Sequence, residues 1–556
     1  MPSMSSVYKF FLQGHISRIN RTYSIYASRA YCTGLQAADT SNGKNSTEEL
    51  RLRQEPGLRY LTPEQKSLRD GILDTVISTC QKYGASPLET PLLEFKTNME
   101  TSGPEQLCQV RSRGEAPVVL RPNLKIPHAR YLSRERLDST RLYQHGPVYR
   151  RMSHGLEERL LCDFDISGHH HPMMADSECA MFLVDTLNSL GIEKYMVKVR
   201  HRPILEGLLD SCDISFSTFQ VMWQNLARWD GPMSERGNLL LQLMQKIGVE
   251  PEAAQKLKLY LFMLDGEHLL RELLADPMFT QQPKVHQGAN HMLLFLKYCQ
   301  LFGIQDKISF DLSISHHPDF YNGILFDVIC KGNLRVADGG WYNGLLDHLK
   351  GKDIPCVGVS LDIDSLFSLK SNEVPVVESI PEQSIIVQNL DSLQVVDADV
   401  IESEEEDKVY AKTPRGMKDY GPEKLVIRNK VLETVKDCFM RHGAVALDCP
   451  VVEPKMSNSQ YGEDSHLVYH LETEDNLSLR YDLTVPLARY LAHSQPELPF
   501  IRYHIGRVYR RDKPYITRGR LREFYQCVST AQSIYTPDSS CHGEIILAEF
   551  RSSSAD

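Results

Sequence analysis

A short stretch of sequence occurs twice in this chain and decides how the rest of it is organised. The stretch reads LRPNLKIPHARYL at residues 120–132 and returns as LRYDLTVPLARYL at residues 479–491. The two occurrences are 359 residues apart, whereas the repeats of a solenoid follow one another every ~20–50 residues. We therefore interpret the chain as a tandem duplication of a large domain.

Other features flank this stretch at nearly the same spacing. Gly84 to Pro91 recurs as Gly443 to Pro450, again 359 residues later. GPVYRR at residues 146–151 returns as GRVYRR at residues 506–511, and Cys162 corresponds to Cys527, 365 residues on. The increase in spacing indicates that the first copy has lost five residues after its paired arginines.

The repeat and the local composition divide the chain into segments. Residues 1–32 hold four basic residues, six serines and no acid, a composition typical of a mitochondrial transit peptide; a disordered tail is the alternative. Residues 391–407 are rich in acids, which favours a solvated linker. The expected order is a transit-type peptide (1–35), a linker (36–55), the first copy (56–370, with a helical insertion at about 201–300), an acidic linker (371–410), the second copy (411–535) and a tail (536–556).

Composition excludes several classes of protein. The chain has 556 residues and a formal charge of −10, so it is no broadly basic nucleic-acid binder, and contact with nucleic acid would need a local basic patch. No apolar run approaches ~18 residues, and we expect no transmembrane helix. Thirteen cysteines without a C-x-x-C pair favour reduced, mostly buried thiols.

The densest basic patch lies between Arg502 and Glu523, with eight Lys or Arg residues against two acids. Flanking β-branched and aromatic runs predict two strands joined by a polar turn. Guanidinium groups bind phosphate oxygens in pairs and stack on flat rings, so such a hairpin suits a purine nucleotide; a solvated basic hairpin is the alternative.

A carboxylate and a hydroxyl stand two residues apart at Asp482 and Thr484. On a strand, this spacing would place both side chains on one face. Such a pair of acceptors could bind an ammonium group or belong to a structural hydrogen-bond network.

These motifs resemble those of eukaryotic histidyl-tRNA synthetases, members of the class II aminoacyl-tRNA synthetases. The second copy carries KTPRGMKDY (412–420), YGEDS (461–465), RVYRRD (507–512) and TRGRLREFYQC (517–527). The first copy carries CDFDISG (162–168), VKVR (197–200), SFDLS (309–313) and GGWY (339–342). It looks like a degenerate version of the same enzyme, followed by a truncated second one.

The resemblance implies an α+β fold with an antiparallel sheet flanked by helices, present as one near-complete and one partial copy. It also implies ATP-dependent activation of histidine and its transfer to tRNA(His), with Mg²⁺ as cofactor. We expect a homodimer formed through the first class II motif, here Pro91 and Pro450, or else pairing with a related subunit. The location implied is the mitochondrial matrix, with the cytoplasm as alternative.

Roles carry over from the resemblance position by position. Arg510 would be catalytic, bridging the histidine carboxylate and the α-phosphate of ATP. The other residues implied are, for histidine, Asp482, Thr484, Gln526, Asp165, Phe320 and Tyr321, and for ATP, Arg522 and Arg150 beside Arg510. We expect no protein-bound metal, because the consecutive histidines 169–171 cannot all face one ion.

The departures from the family pattern bear on activity. In the first copy Asn123, Lys125 and Leu161 stand where the second copy has Asp482, Thr484 and Gln526. His316, Trp341 and Ser365 stand where the family has arginines, and Thr530 stands where the first copy has Asp165. Losing one such transition-state contact costs roughly 3 kcal/mol.

Several functions are compatible with these departures. The first is a family member with weak or no ligase activity, a candidate pseudoenzyme. The alternatives are an active mitochondrial histidine–tRNA ligase, a non-catalytic histidine-sensing or synthetase-binding paralogue, and a chain joined from neighbouring reading frames.

Overall fold

The computed structural model describes residues 57–371 and 412–532, apart from short gaps, and a final strand, Ile546–Glu549. We call residues 57–371 the first segment and residues 412–549 the second segment. The expected transit-type peptide, the linker after it and most of the acidic linker lie outside the described residues, as do residues 313–319 and 513–520.

Both segments contain helices and strands, and in the described residues seven helices follow one another between β7 and β8. The helices are α1 (Pro63–Lys82), α2 (Lys96–Met99), α3 (Lys125–Glu135), α4 (Met174–Ser189), α5 (Arg202–Asp210), α6 (Phe216–Ala227), α7 (Met233–Lys246), α8 (Pro251–Leu261), α9 (Gly266–Ala275), α10 (Pro277–Thr280), α11 (Pro283–Leu301), α12 (Asn343–His348), α13 (Ile363–Ser371), α14 (Pro422–Arg441) and α15 (Thr484–Ser494). The strands are β1 (Ser86–Pro87), β2 (Leu93–Phe95), β3 (Cys108–Val110), β4 (Val118–Leu120), β5 (Thr140–Met152), β6 (Gly155–Ser167), β7 (Tyr195–His201), β8 (Ile308–Phe310), β9 (Ile324–Cys330), β10 (Arg335–Trp341), β11 (Cys356–Asp362), β12 (Val445–Ala446), β13 (Val452–Pro454), β14 (Leu477–Leu479), β15 (Phe500–Tyr509), β16 (Glu523–Gln532) and β17 (Ile546–Glu549).

The first segment is built on an eight-stranded sheet of order β1-β5-β6-β11-β10-β9-β7-β8. Its inner pairings are antiparallel, and the two edge pairings, β1 with β5 and β7 with β8, are parallel. Helices α1, α4 and α13 pack against one another beside this sheet, and their apolar residues join its main core. The expected α+β class and mostly antiparallel sheet are confirmed.

Local sequence explains the long first helix of each segment. Thr62 caps α1 because its Oγ1 accepts from Gln65 N (3.3 Å) while Thr62 N donates to Gln65 Oε1 (3.0 Å). The helix ends just before Gly84, whose φ of +74° favours glycine. Helix α14 begins at Pro422 and ends just before Gly443, at φ +76°.

The second segment has a four-stranded sheet of order β12-β15-β16-β17. Strands β15 and β16 pair antiparallel from Phe500–Gln532 to Tyr509–Glu523, as expected for a hairpin. Strand β17 lies within residues 536–556, where the sequence analysis places a tail, and it pairs antiparallel with β16. The difference arises because β16 has an edge whose main-chain groups need partners.

Asp482 and Thr484 do not lie on a strand. Strand β14 ends at Leu479, and Thr484 begins α15. Asp482 Oδ1 accepts hydrogen bonds from Thr484 N and Val485 N, each at 3.1 Å, and so caps this helix. The expectation that both side chains share one strand face is therefore wrong.

Two further expectations concern thiols and membranes. No disulfide joins the described cysteines, and all of them except Cys438 are buried. Among the described helices, none has the length and apolar character needed to span a bilayer.

Contacts between the two segments occur in matched pairs. Leu61 forms a β-bridge with Asp448, and Glu89 forms one with Tyr420. Leu61 and Tyr420 are 359 residues apart, and so are Glu89 and Asp448. The same backbone contact is therefore made twice, with the roles of the two segments exchanged.

Side chains repeat the pattern. Arg69 Nη2 lies 2.7 Å from Asp448 Oδ2, and Arg428 Nη1 lies 2.7 Å from Glu89 Oε1. Arg69 and Arg428 are also 359 residues apart. Reciprocal contacts of this kind are the mark of an interface with two-fold symmetry, here approximate and within one chain.

Backbone hydrogen bonds join the segments near the centre of this interface. Arg111 N donates to His470 O (3.0 Å), and Glu472 N donates to Gln109 O (2.8 Å). These two bonds are again reciprocal, because residues 109 and 111 precede residues 470 and 472 by 361 positions each.

An apolar core lies between the segments, and each contributes eight buried residues to it. Its members are Leu58, Leu92, Leu93, Cys108, Val110, Leu120, Tyr149, Leu156, Met417, Val451, Val452, Tyr469, Leu471, Leu477, Leu479 and Tyr509. Burying one large apolar side chain stabilises a protein by ~1.5–3 kcal/mol. The second segment is therefore packed onto the first as an integral part of the fold.

Acid is expected to weaken the packing around His504, a buried residue of β15. Its Nε2 lies 3.3 Å from Asp448 Oδ1, and burial lowers the pKa of His504 to about 4 despite that carboxylate. In the unfolded chain, a histidine has a pKa near 6.5, so acid protonates the unfolded chain before it protonates the buried His504. The stability that the neutral His504 contributes is therefore complete above pH 6.5 and is lost as the pH falls toward 4.

The expected loss between pH 7 and pH 4.5 is roughly 2–3 kcal/mol from this group. The variant His504→Gln should lose less stability over that range by about this amount, measured as the free energy of unfolding in urea at both pH values. Glutamine is a suitable replacement because the equivalent residue of the first segment is the buried Gln144. If the parent chain and His504→Gln lost the same free energy of unfolding, His504 would not be the group that makes the fold sensitive to acid.

Candidate functional site

In the second segment, several predicted residues meet around the turn before α15. Leu483 N donates to Gln526 Oε1 at 3.0 Å, which places Gln526 beside the cap formed by Asp482. Burial raises the pKa of the Asp482 carboxyl, against the opposing effects of two backbone N–H groups and the charges of Arg510 and Arg502. The turn therefore holds a buried acid next to an amide side chain and two guanidinium groups.

Arg510 is held over two aromatic rings at the edge of this turn. Its Nε donates to Tyr481 O at 3.2 Å. The guanidinium carbon lies 4.5 Å from the centre of the Tyr481 ring and 5.0 Å from that of Phe524. Stacking and hydrogen bonding both restrict the side chain, so its charge is fixed in position.

Arg502 is a buried cation that the sequence analysis did not assign to the site. Its Nη2 donates to Leu483 O at 3.1 Å, whereas Nε and Nη1 are buried and have no hydrogen-bond partner among the described residues. Burial lowers the pKa of Arg502 to about 10. Its partner in strand register is Thr530, while the corresponding pair of the first segment is Leu142 and Asp165. At these paired positions, the second segment has the arginine without an acid, and the first segment has the acid without an arginine.

In the first segment, the corresponding pocket contains its own ammonium group. Lys125 Nζ lies 2.7 Å from Asp165 Oδ1 and 3.1 Å from Asp163 Oδ2, and all three side chains are at most 1% exposed. Burial opposes the charge of Lys125, but the two carboxylates prevail and raise its pKa. Burial raises the pKa of Asp163 to about 6.

Neighbouring groups complete the shell around this ion cluster. Tyr342 Oη donates to Asp165 Oδ1 at 2.8 Å and lies 2.9 Å from His128 Nδ1. Ser360 Oγ donates to Asp163 Oδ1 at 2.6 Å. A side chain at Gly358 would overlap the cluster, because a Cβ there would stand 1.9 Å from Asp165 Oδ1. The pocket is therefore tightly filled.

Tyr321 lies near the same ion cluster and near Arg150, and Phe320 packs beside Tyr321. The rings of Phe320 and Tyr321 are buried, with centres 4.6 Å apart. Burial raises the pKa of Tyr321, and the charges of Asp338, Asp163 and Asp165 add to this effect. Arg150 Nε donates to Pro122 O at 3.2 Å.

Comparison with known proteins identifies the family. The family model described as histidyl-tRNA synthetase matches residues 57–366, more than half of the chain. The chain belongs to the histidyl-tRNA synthetase family. The mitochondrial histidine–tRNA ligase of Mus musculus is 31% identical over 334 residues, 56% of this chain and 66% of its own length.

Other synthetases extend the comparison. The mitochondrial ligase of Homo sapiens is 31% identical over 56% of this chain and 65% of its own length. The cytoplasmic ligase of Takifugu rubripes is 29% identical over 59% of this chain and 69% of its own length. The chain thus spans about two thirds of the length of these curated relatives.

Solved structures share the fold. A histidyl-tRNA synthetase from Nostoc sp. PCC 7120 matches with a TM-score of 0.51 and 21% identity over 58% of this chain and 76% of its own. A Bacillus halodurans protein, described as an ATP phosphoribosyltransferase regulatory subunit/histidyl-tRNA synthetase, matches with a TM-score of 0.51 and 20% identity over 57% and 82%.

Trp341 and Ser365, which the resemblance matches to arginines, form contacts within the fold. Trp341 Nε1 donates to Asp176, and the indole stands where a Cβ on Gly323 would collide with it. Asp362 caps α13 by accepting from Ser365 N at 3.0 Å on Oδ1, and Ser365 Oγ donates to Asp362 Oδ2 at 2.8 Å. Both side chains are thus built into the fold.

Arg522 is joined to Arg510 through the main chain, because Arg510 N donates to Arg522 O at 2.9 Å. Its Nε donates to Asp512 O at 3.0 Å, and its side chain lines a cavity between the two segments. Asp482, Gln526 and Arg510 do not line that cavity. Its role as an ATP ligand remains a prediction.

The sequence marks Lys125 only as a departure from the repeat. The ion cluster is not among the predictions from sequence, although one signal for it is present. Asp163 and Asp165 stand two residues apart on one strand, so their side chains lie on the same face. Two carboxylates on one buried face require a cation. The partner itself could not be named, because it lies some 40 residues away on another element.

Proposed function

We propose that this chain is a histidyl-tRNA synthetase-family protein with weak or no histidine–tRNA ligase activity. The observation that carries the proposal is the position of Lys125 Nζ, between Asp165 and Asp163 in the buried pocket of the first segment. The resemblance implies that the amino-acid substrate would bind in this pocket.

The lysine offers the pocket the same chemical group that an amino acid would offer. A substrate ammonium would have to displace a tethered ammonium already bound to both carboxylates. Displacement would leave the lysine charge buried without a partner, which costs several kcal/mol. The pocket of the first segment is therefore closed to histidine by its own side chain.

The second segment keeps more of the family's amino-acid contacts. Asp482, Gln526 and Arg510 converge on the turn before α15, which supports binding of a small zwitterion such as histidine. This convergence favours a second candidate function, a non-catalytic histidine sensor. In either case tRNA(His) or a related synthetase subunit is a possible macromolecular partner implied by the family.

Arg510 in the second segment and Arg150 in the first would bind ATP. Guanidinium groups fixed in position stabilise phosphate charge, and bound magnesium would neutralise the phosphates further. In the described ranges no three His, Cys, Asp or Glu side chains gather as a metal site. We therefore propose that magnesium is held mainly by the nucleotide.

We further propose that the chain is an internal duplication whose second segment takes the place of a partner subunit. The reciprocal contacts of Arg69 and Arg428 and the shared apolar core support this. The dimer expected through Pro91 and Pro450 would then be formed within a single chain.

The location proposed is the mitochondrial matrix, with the cytoplasm as the alternative. Its support is the composition of residues 1–32 together with mitochondrial relatives, and the alternative is supported by cytoplasmic relatives.

ATP–pyrophosphate exchange with histidine tests the proposal. We expect the full chain to exchange at least about 100-fold more slowly than a histidyl-tRNA synthetase assayed in parallel, because each missing transition-state contact costs about 3 kcal/mol. Any residual exchange should disappear in Arg510→Ala and persist in Arg441→Ala, an exposed arginine at the end of α14.

Exchange at the rate of the reference enzyme would overturn the proposal and establish a working ligase. Slow exchange combined with heat on titration of histidine, abolished by Asp482→Asn, would select the sensor function. Slow ATP–pyrophosphate exchange without heat on titration of histidine would mean that neither segment binds histidine.

A further inference from the structure

A cavity of about 240 Å³ lies between the two segments and is lined by side chains of both. Arg111 comes from the first segment, and Arg415, Arg511 and Arg522 come from the second. His466 adds a fifth basic group, and none of the described residues that line the cavity is Asp or Glu. In a chain of net charge −10, such a concentration of positive charge is unusual.

Backbone hydrogen bonds fix where these arginines start. Arg111 N donates to His470 O (3.0 Å) in the central pairing of the two segments. Arg511 N donates to Leu467 O (2.8 Å), and Arg522 N donates to Gly416 O (2.9 Å). The arginines therefore converge because three main-chain contacts hold their backbones around one space.

The side chains of two arginines are oriented as well. Arg522 Nε donates to Asp512 O (3.0 Å) and its Nη1 lies 3.4 Å from Arg415 O. The Arg511 guanidinium carbon lies 5.5 Å from the centre of the Tyr469 ring. Ordering these groups before a ligand arrives reduces the entropy cost of binding it.

Four guanidinium groups around one small space favour an anionic ligand. Guanidinium groups bind phosphate oxygens bidentately, which makes phosphate a better match than a single carboxylate. The cavity also has an apolar side, formed by Leu93 and Met417 among others, that suits a small organic moiety.

We propose that this cavity, which we call the inter-segment cavity, binds a small phosphate-bearing ligand, of pyrophosphate to mononucleotide size. Lys125, Asp482, Gln526 and Arg510 do not line it, but it adjoins the turn of the second segment, because Arg510 N donates to Arg522 O at 2.9 Å. Because both segments supply arginines, the ligand also strengthens their packing, and its binding raises the stability of the folded chain.

Inorganic pyrophosphate is the probe for the test, titrated calorimetrically into the full chain without histidine or ATP. We expect binding that weakens with salt, a raised melting temperature, and at least a 30-fold loss of affinity in Arg111→Glu and in Arg415→Glu. Both residues are exposed, so these variants should fold. The control Arg441→Glu places the same charge change on an exposed helix end outside the cavity and should bind as the parent does.

Each other outcome overturns the proposal. Absence of binding, or equal losses in Arg111→Glu and Arg441→Glu, would show that no specific site exists here. Loss of binding in Arg510→Ala but not in Arg111→Glu would place the ligand in the nucleotide site of the proposed function instead. Much tighter, Arg111-dependent binding of a single-stranded oligonucleotide than of pyrophosphate or AMP would identify the surface as one for nucleic acid.

Discussion

Replacing Lys125 with methionine is expected to lower the free energy of unfolding by about 3–5 kcal/mol. The change removes the cation that pairs with Asp165 at 2.7 Å and Asp163 at 3.1 Å, and it leaves two carboxylates buried without it. Urea unfolding at pH 7 measures the effect. The deficit should shrink as the pH falls, because Asp163 already has a pKa of about 6 and protonation removes its buried charge.

Two matched variants make this result interpretable. Lys82→Met removes an exposed lysine from the end of α1 and should change stability by less than about 0.5 kcal/mol. The triple variant Lys125→Met, Asp163→Asn, Asp165→Asn removes the whole ion cluster and should recover much of the loss. If Lys125→Met were as stable as Lys82→Met, the lysine would not be the counter-ion that closes the pocket.

Replacing Asp419 with alanine is expected to loosen the packing of the two segments at a cost of about 3 kcal/mol. Asp419 lies in the second segment, and its carboxylate reaches Arg130 Nη2 at 2.7 Å and Arg134 Nη1 at 2.7 Å in the first. Arg130 also pairs with Glu94, and the side chains of Arg130, Glu94 and Asp419 are fully buried. Removing one member of a buried charge network leaves the others undercompensated.

Hydrogen exchange measures this effect where the segments meet. The amides of Arg111 and Glu472, which bond across the interface, should exchange about 100-fold faster in Asp419→Ala. The control Asp437→Ala removes an exposed acid from α14 and should leave them unchanged. Unchanged protection in Asp419→Ala would mean that the apolar core alone holds the segments together.

The interface is symmetrical in its backbone but unequal in its charges. Arg489 pairs with Glu453 at 2.9 Å, as Arg130 pairs with Glu94. The position equivalent to Asp419 is Tyr60, whose pKa burial raises to about 12 beside Arg489. The two halves therefore differ by one buried acid, which makes Asp419 the more informative residue to change.

Some local features could be predicted because their signals are short-range. The hairpin of β15 and β16 follows from β-branched and aromatic runs flanking a polar turn, and the structure confirms it. The strand expected at Asp482 failed because a different short-range signal took precedence. Asp482 stands two residues before a helix that has Pro486 in its first turn, which is an N-cap pattern.

The candidate site was only partly predictable. Asp482, Gln526 and Arg510 were identified from motifs, and the structure brings them around one turn. The roles of Lys125 and Arg502 were not, because each depends on what faces it across the fold. A lysine in place of a threonine becomes an internal counter-ion only where two carboxylates are buried opposite it.

The sequence by itself determined the family, the hairpin of β15 and β16, and the residue types offered to a nucleotide and an amino acid. These properties follow from motifs and periodicities that extend over neighbouring residues, where the backbone geometry is fixed by local hydrogen bonding. The tertiary structure alone decided that the two segments pack face to face, that a lysine fills one pocket, and that arginines from both segments share a cavity. Those outcomes depend on burial and charge pairing between residues up to several hundred positions apart, which only the folded chain brings into contact.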